Sequence, residues 1–173
     1  MFSKKHLSVS ALAIFAGFLG VSAANAQDSS CRYTLASIQG TYAIVVTYLP
    51  TFEAVAIGTR SYDGAGHMTG TFLVNGPTTG STTGGRTITK GTQVGTYTVN
   101  CDGTGVITRT TTLATGQTNT FVDDFVTTTA VWNGVIIAAT ITDVAENPTT
   151  AGAAPAGLYQ TRVQTRLPFS SGQ

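Results

Sequence analysis

The chain has 173 residues, 42% of them hydrophobic and only 10% charged, with a formal net charge of +1. Charges this sparse and this balanced leave no electrostatic footprint for nucleic acid or for an anionic membrane surface. Beyond His6 the chain has a single histidine, His67, and its two cysteines are far apart in sequence with no C-x-x-C, which speaks against a zinc site of the usual three or four ligands.

The N-terminus reads as an export signal. Lys4, Lys5 and His6 form a basic start, Leu7 to Val21 an apolar stretch, and Ala24-Asn25-Ala26 a small-residue cleavage site. The apolar run is roughly 15 residues, whereas a membrane-spanning helix needs about 20, so the expectation is cleavage rather than anchoring. No cysteine stands at the cleavage point to take a lipid. Residues 1–26 are thus expected to be removed, with residues 27–173 forming one domain whose core covers about 31–167. Losing Lys4 and Lys5 leaves seven basic and eight acidic side chains, a net charge of about −1. The destination is periplasmic or extracellular. Cys31 and Cys101, the only cysteines, read as one disulfide in that oxidising setting; the alternative, a redox pair or two free thiols, finds no C-x-x-C to support it.

Thirty-three threonines and 20 glycines dominate the composition. Thr favours strands and Gly punctuates turns, and after Gln27 no sustained 3.6-residue apolar period appears beyond one short turn at Leu35 to Gln39. Strands are expected at Thr41–Leu49, with Tyr42, Ile44, Val46 and Tyr48 on one face, and at Glu53–Tyr62. The turn Asp63-Gly64-Ala65-Gly66 leads to Met68–Asn75, which Asn75-Gly76-Pro77 ends. Thr78–Gly85 is a polar loop. Arg86–Lys90 and Thr92–Asn100 form one bent strand or two, and Asp102-Gly103 turns the chain into Gly105–Leu113. Thr115–Asn119 is the next turn, before Thr120–Ala130. Asn133-Gly134 is the strongest hairpin signal, because both residues tolerate the positive φ of a type I′ turn. Val135–Thr142 comes next, then a long Ala-, Pro- and Gly-rich loop, Asp143–Gly157, and a last strand, Leu158–Leu167. Eight or nine strands joined by short links predict an all-β, antiparallel, up-and-down barrel of about eight strands. A two-sheet sandwich is the alternative.

Three segments carry a family likeness: Leu35-Ala36-Ser37-Ile38-Gln39-Gly40-Thr41-Tyr42, the stretch from Tyr62 to Gly70, and Gly95 to Gly105 with Cys101 in it. Together they resemble small secreted bacterial proteins of the allene oxide cyclase barrel-like type. That resemblance implies a short barrel related in shape to lipocalins. It carries no catalytic residue across.

Candidate chemistry is thin. His67 stands alone beyond a Gly-rich turn, no G-x-S-x-G marks a serine nucleophile, and the turns at Asp63 and Asp102 lack the carboxylate density of a calcium cage. No cofactor is implied. One local conflict is more telling. In Phe121-Val122-Asp123-Asp124-Phe125-Val126, alternation puts a carboxylate on whichever face is interior. With the aromatic face inward, Asp123 is the internal acid, and Arg109 or Arg162 is its partner. A buried carboxylate of this kind must be paired, hydrogen-bonded, wet or protonated. The expected site is therefore a lumen holding Asp123 with Arg109 or Arg162 among Tyr42, Tyr48, Phe72, Phe121 and Phe125. Such a cavity suits a small, partly apolar ligand. The competing expectations are a lumenal cyclase or isomerase, a structural ion pair, and a surface-interaction protein.

Overall fold

The computed structural model describes residues 31–50, 54–146 and 158–168. Residues 1–30, which include the expected export signal, residues 51–53, the 147–157 stretch of the expected long loop and residues 169–173 lie outside them. Eight strands run in chain order: β1 (Gly40–Pro50), β2 (Val55–Tyr62), β3 (His67–Pro77), β4 (Arg86–Val99), β5 (Thr104–Leu113), β6 (Thr118–Trp132), β7 (Val135–Ala145) and β8 (Leu158–Arg166). Each pairs antiparallel with the next, and β8 returns to pair with β1, so the sheet closes on itself as a barrel. Closure leaves no unpaired sheet edge. The sandwich alternative is thereby excluded.

Several boundaries differ from expectation for identifiable reasons. Arg86 to Val99 is one unbroken strand, because Gly91 and Gly95 keep their ladder partners, Phe72 and Leu113 for the first, Met68 and Arg109 for the second. Asn75-Gly76-Pro77 does not end β3. All three remain paired with β4, where Gly76 faces Thr87 and Pro77 faces Arg86, and Pro is tolerated at a strand end. Asp143, expected to open a loop, is instead held within β7 by register partners on both sides, Phe125 and Arg162. Asn133 and Gly134 do take positive φ, 49° and 79°, as a type I′ hairpin requires.

One end of the barrel is capped. A 3₁₀ turn, Leu35–Ile38, precedes β1, with the Thr34 amide donating to Ser37 Oγ at 3.1 Å. It drives Ile38 into an apolar cluster with Tyr42, Tyr62, Met68 and Tyr97. The rings of Tyr42, Tyr62 and Tyr97 meet edge to face at 5.5 and 5.2 Å. The Cys31–Cys101 disulfide, 70 residues apart in sequence, ties the N-terminal segment to the β4–β5 turn at this end. A second, smaller apolar cluster of Ile44, Val46 and Ala56, with Tyr48 and Val74 against it, lies toward the far end. Between the two clusters the lumen is polar.

Candidate functional site

The polar middle layer follows from strand periodicity and from glycine. On β2 and just before it the inward positions are Ala54, Ala56, Gly58, Arg60 and Tyr62, while the β-branched Val55 and Ile57 point outward at 55% and 58% exposure. The usual apolar-inside pattern is therefore inverted here. Long side chains fit because small residues face them across the sheet. Arg60 is the register partner of Gly70, and Arg109 that of Gly95. A Cβ on Gly95 would stand 3.1 Å from the Arg109 Cβ, and one on Gly70 would stand 3.1 Å from the Gln93 Cγ.

Three guanidiniums and two carboxylates meet in this space. Asp123 is 0% exposed, Arg60 1%, Arg162 2%, Asp143 2% and Arg109 4%. Arg109 addresses Asp123 side-on: Nε donates to Oδ2 at 2.6 Å and Nη2 to Oδ1 at 3.2 Å. Arg162 Nη2 lies 2.5 Å from Asp123 Oδ1, and Arg60 Nη2 lies 3.8 Å from Oδ2. Asp143 takes the remaining contacts, accepting from Arg162 Nε, from Arg60 Nη1 at 3.4 Å and from Gln164 Nε2 at 2.5 Å. Glutamines complete the layer. Gln93 Oε1 accepts from Arg60 Nε at 3.2 Å, and Gln160 Oε1 from Arg162 Nη1 at 2.9 Å. Such a dense network satisfies buried charge that would otherwise be prohibitive.

Its electrostatics are uneven. Burial pushes the Asp123 carboxyl up, but Arg109, Arg162 and Arg60 together outweigh burial and hold it below the ordinary carboxylate range. Asp123 is thus an anion at neutral pH. Arg109 fares worse: desolvation, then repulsion from Arg162, pull it down to about 10 despite its pairing with Asp123. Two carboxylates do not neutralise three guanidiniums, so the described layer carries one excess positive charge. Among the described residues Arg109 Nη1 donates to nothing, and Arg162 Nη2 faces Asp123 without the alignment of a hydrogen bond.

The residues singled out from sequence divide between three levels. Arg109, Asp123 and Arg162 come together as expected. Phe121 joins them, its ring 4.3 Å from the Arg109 guanidinium carbon. Tyr48 and Phe72 are half-buried on the far-end side; burial raises the Tyr48 pKa against the opposing pull of Arg162, Arg109 and Arg60, which places its phenol within electrostatic reach of all three. Tyr42 and Phe125 sit elsewhere, in the apolar cluster at the capped end. There the Tyr42 hydroxyl donates to the Ala138 carbonyl at 3.2 Å, and the Arg166 guanidinium lies 4.8 Å from its ring. They flank the charged layer from below rather than lining any space above it. Sequence reasoning missed Arg60, Asp143 and Gln93.

Other candidates resolve into ordinary structure. His67 Nδ1 lies 2.8 Å from Asp63 Oδ2, and Asp63 Oδ1 also accepts from the Ala65 and His67 amides, closing an exposed turn. Among the described residues no group of three His, Cys, Asp or Glu is placed to hold a metal, and no helix is long and apolar enough to cross a membrane.

No family model, curated protein or solved structure matches this chain.

Proposed function

We propose that this is an exported binding protein that holds a small, partly apolar ligand at the far end of its barrel, above the charged layer. The observation that carries the reading is the contrast between two levels of the lumen. The charged layer is closely packed, with each of its five ions at most 4% exposed. Above it, the inward side chains Tyr48, Phe72, Val74 and Leu113 are only half-buried. A polar floor beneath partly accessible apolar and aromatic walls is the general form of a small-molecule site. Asp123 and Asp143 are spoken for by guanidiniums, and Asp123 is held ionised, which supports binding over acid catalysis by that residue. Export is supported by the signal-like N-terminus and by a disulfide between the only two cysteines.

The packed middle of the barrel favours a second reading, in which the ion network is structural and the Thr-rich outer face is the working surface. Native mass spectrometry of the protein purified from its own host, without denaturation, decides between them. A retained small molecule that leaves on activation, together with a mass showing cleavage after Ala26, is the expected result. A bare polypeptide whose thermal stability no small amphipathic compound raises refutes the binding reading.

A further inference from the structure

We infer that the far-end site takes a small aromatic monocarboxylate, its acid group held by the unpartnered Nη1 of the Arg109 guanidinium. The inference rests on the binding reading above and specifies the ligand's chemistry.

Three observations converge. The first is charge: three buried guanidiniums face two buried carboxylates among the described residues, and one more negative charge closes the difference. A dianion would overshoot it. The second is directed donors. Arg109 spends Nε and Nη2 on Asp123, and Nη2 also reaches Gln160 Oε1 at 3.5 Å, which leaves Nη1 alone with no acceptor among the described residues. A guanidinium N–H donated to a carboxylate is a charge-assisted bond, stronger than a neutral one. Repulsion from Arg162 also depresses Arg109, and a bound anion relieves that repulsion. The third is shape. Phe121 already stacks on the Arg109 guanidinium, and among the described residues Phe72 and Tyr48 are the other large inward aromatics on this side. Ring-bearing ligands make offset or edge contacts with such walls.

The wall above the floor is short on β5, while β3 and β4 run on to Pro77 and Arg86, so depth favours a short ligand over a long acyl chain. The floor lies at Arg109, and the last residue of β5 is Leu113, four residues further. At ~3.3 Å per residue and a tilt of ~40°, this depth is about 10 Å. That accommodates one ring with a two- or three-carbon acid arm.

Isothermal titration on the disulfide-bonded protein lacking residues 1–26 tests the inference with four probes: 3-phenylpropionate, the isosteric neutral 3-phenylpropan-1-ol, hexadecanoate and inorganic phosphate. The expected result is that the aromatic acid binds at least tenfold tighter than its alcohol and tighter than hexadecanoate, with no phosphate binding. Binding of the acid is expected to move the Arg109 Nε–H resonance, a readout that needs no variant. In Arg109→Lys, which keeps the charge but cannot hold Asp123 and a ligand acid with separate nitrogens, the preference for acid over alcohol is expected to collapse. Equal affinity for acid and alcohol overturns the acid-recognition inference while leaving the binding reading intact. Preference for hexadecanoate, or phosphate binding as tight as that of the acid, overturns the stated ligand class. Failure of all four probes to bind overturns the inference, and the reading beneath it then falls only if native mass spectrometry also finds no retained molecule.

Discussion

Replacing Asp123 by Asn tests the charged layer most directly. The carboxylate is fully buried and lies within 4 Å of all three guanidiniums. Asn preserves the volume but removes the charge, so the layer moves from three cations against two anions to three against one. One face of the new amide is a donor turned toward donors. Breaking a buried ion pair from one side costs about 3–5 kcal/mol, because the remaining charge stays buried without compensation. For a domain of this size each kcal/mol moves the midpoint by about 2–4 °C, so Asp123→Asn is expected to lower Tm by about 6–20 °C. Urea unfolding followed by circular dichroism gives the same quantity as a shift in midpoint at unchanged slope. A cost under about 1 kcal/mol would refute the argument, since it would mean that solvent or a neighbouring group compensates the cations. The double variant Arg109→Met, Asp123→Leu supplies the control. Removing both partners leaves the net charge of the layer unchanged and is expected to cost less than Asp123→Asn alone. If the double variant is worse, packing rather than charge carries the layer.

Three other outcomes are expected. Gly105→Ala is expected to destabilise by about 1–3 kcal/mol in urea unfolding, because the added Cβ would collide with the Thr98 carbonyl oxygen and the Phe125 ring; a neutral result would show that β4 and β6 yield easily. Replacing Cys31 and Cys101 by Ser opens a 70-residue loop and is expected to cost roughly 4 kcal/mol on the chain-entropy model, read as a lower Tm that reductant no longer changes. Acid is expected to destabilise the fold. The Asp123 pKa is depressed in the folded state, so its stabilisation is complete above the unfolded value of about 3.9 and is lost as pH falls through the folded value. Asp63, exposed but held at about 2, chiefly by the His67 and Ala65 amides, acts in the same direction. A Tm independent of pH between about 5 and 2 would contradict this sign.

Architecture was legible because turn residues in this chain are unambiguous. Asn133-Gly134 and Asp63-Gly64 mark reversals whose backbone angles few other residues adopt, and strict alternation does the rest. Part of the ionic cluster was legible for a related reason: Phe121-Val122-Asp123-Asp124-Phe125 cannot bury either face without burying an acid. Arg60 escaped because its strand is inverted. Val55 and Ile57 look like the inward face, yet the small Ala54, Ala56 and Gly58 occupy it, leaving volume for long neighbours. Asp143 escaped because the Ala-, Pro- and Gly-rich stretch after it suggested a loop, although Ile141 and Asp143 continue the alternation in phase. The signal that could have found both was glycine in strand interiors. Gly58, Gly70, Gly91, Gly95 and Gly105 all fall on inward positions, where a missing side chain on one strand marks a bulky one on the next.

Pairing of the first strand with the last has a temporal consequence. Val45 and Val163 are register partners separated by more than a hundred residues, and Asp143 obtains two of its contacts, from Arg162 and Gln164, only when the final strand arrives. Until then a growing chain holds two open sheet edges and an acid lacking those donors, so the last nine-residue strand completes both sheet and ion network. Such long-range closure makes folding slower than local pairing alone would, and no early fragment of the chain can complete the barrel.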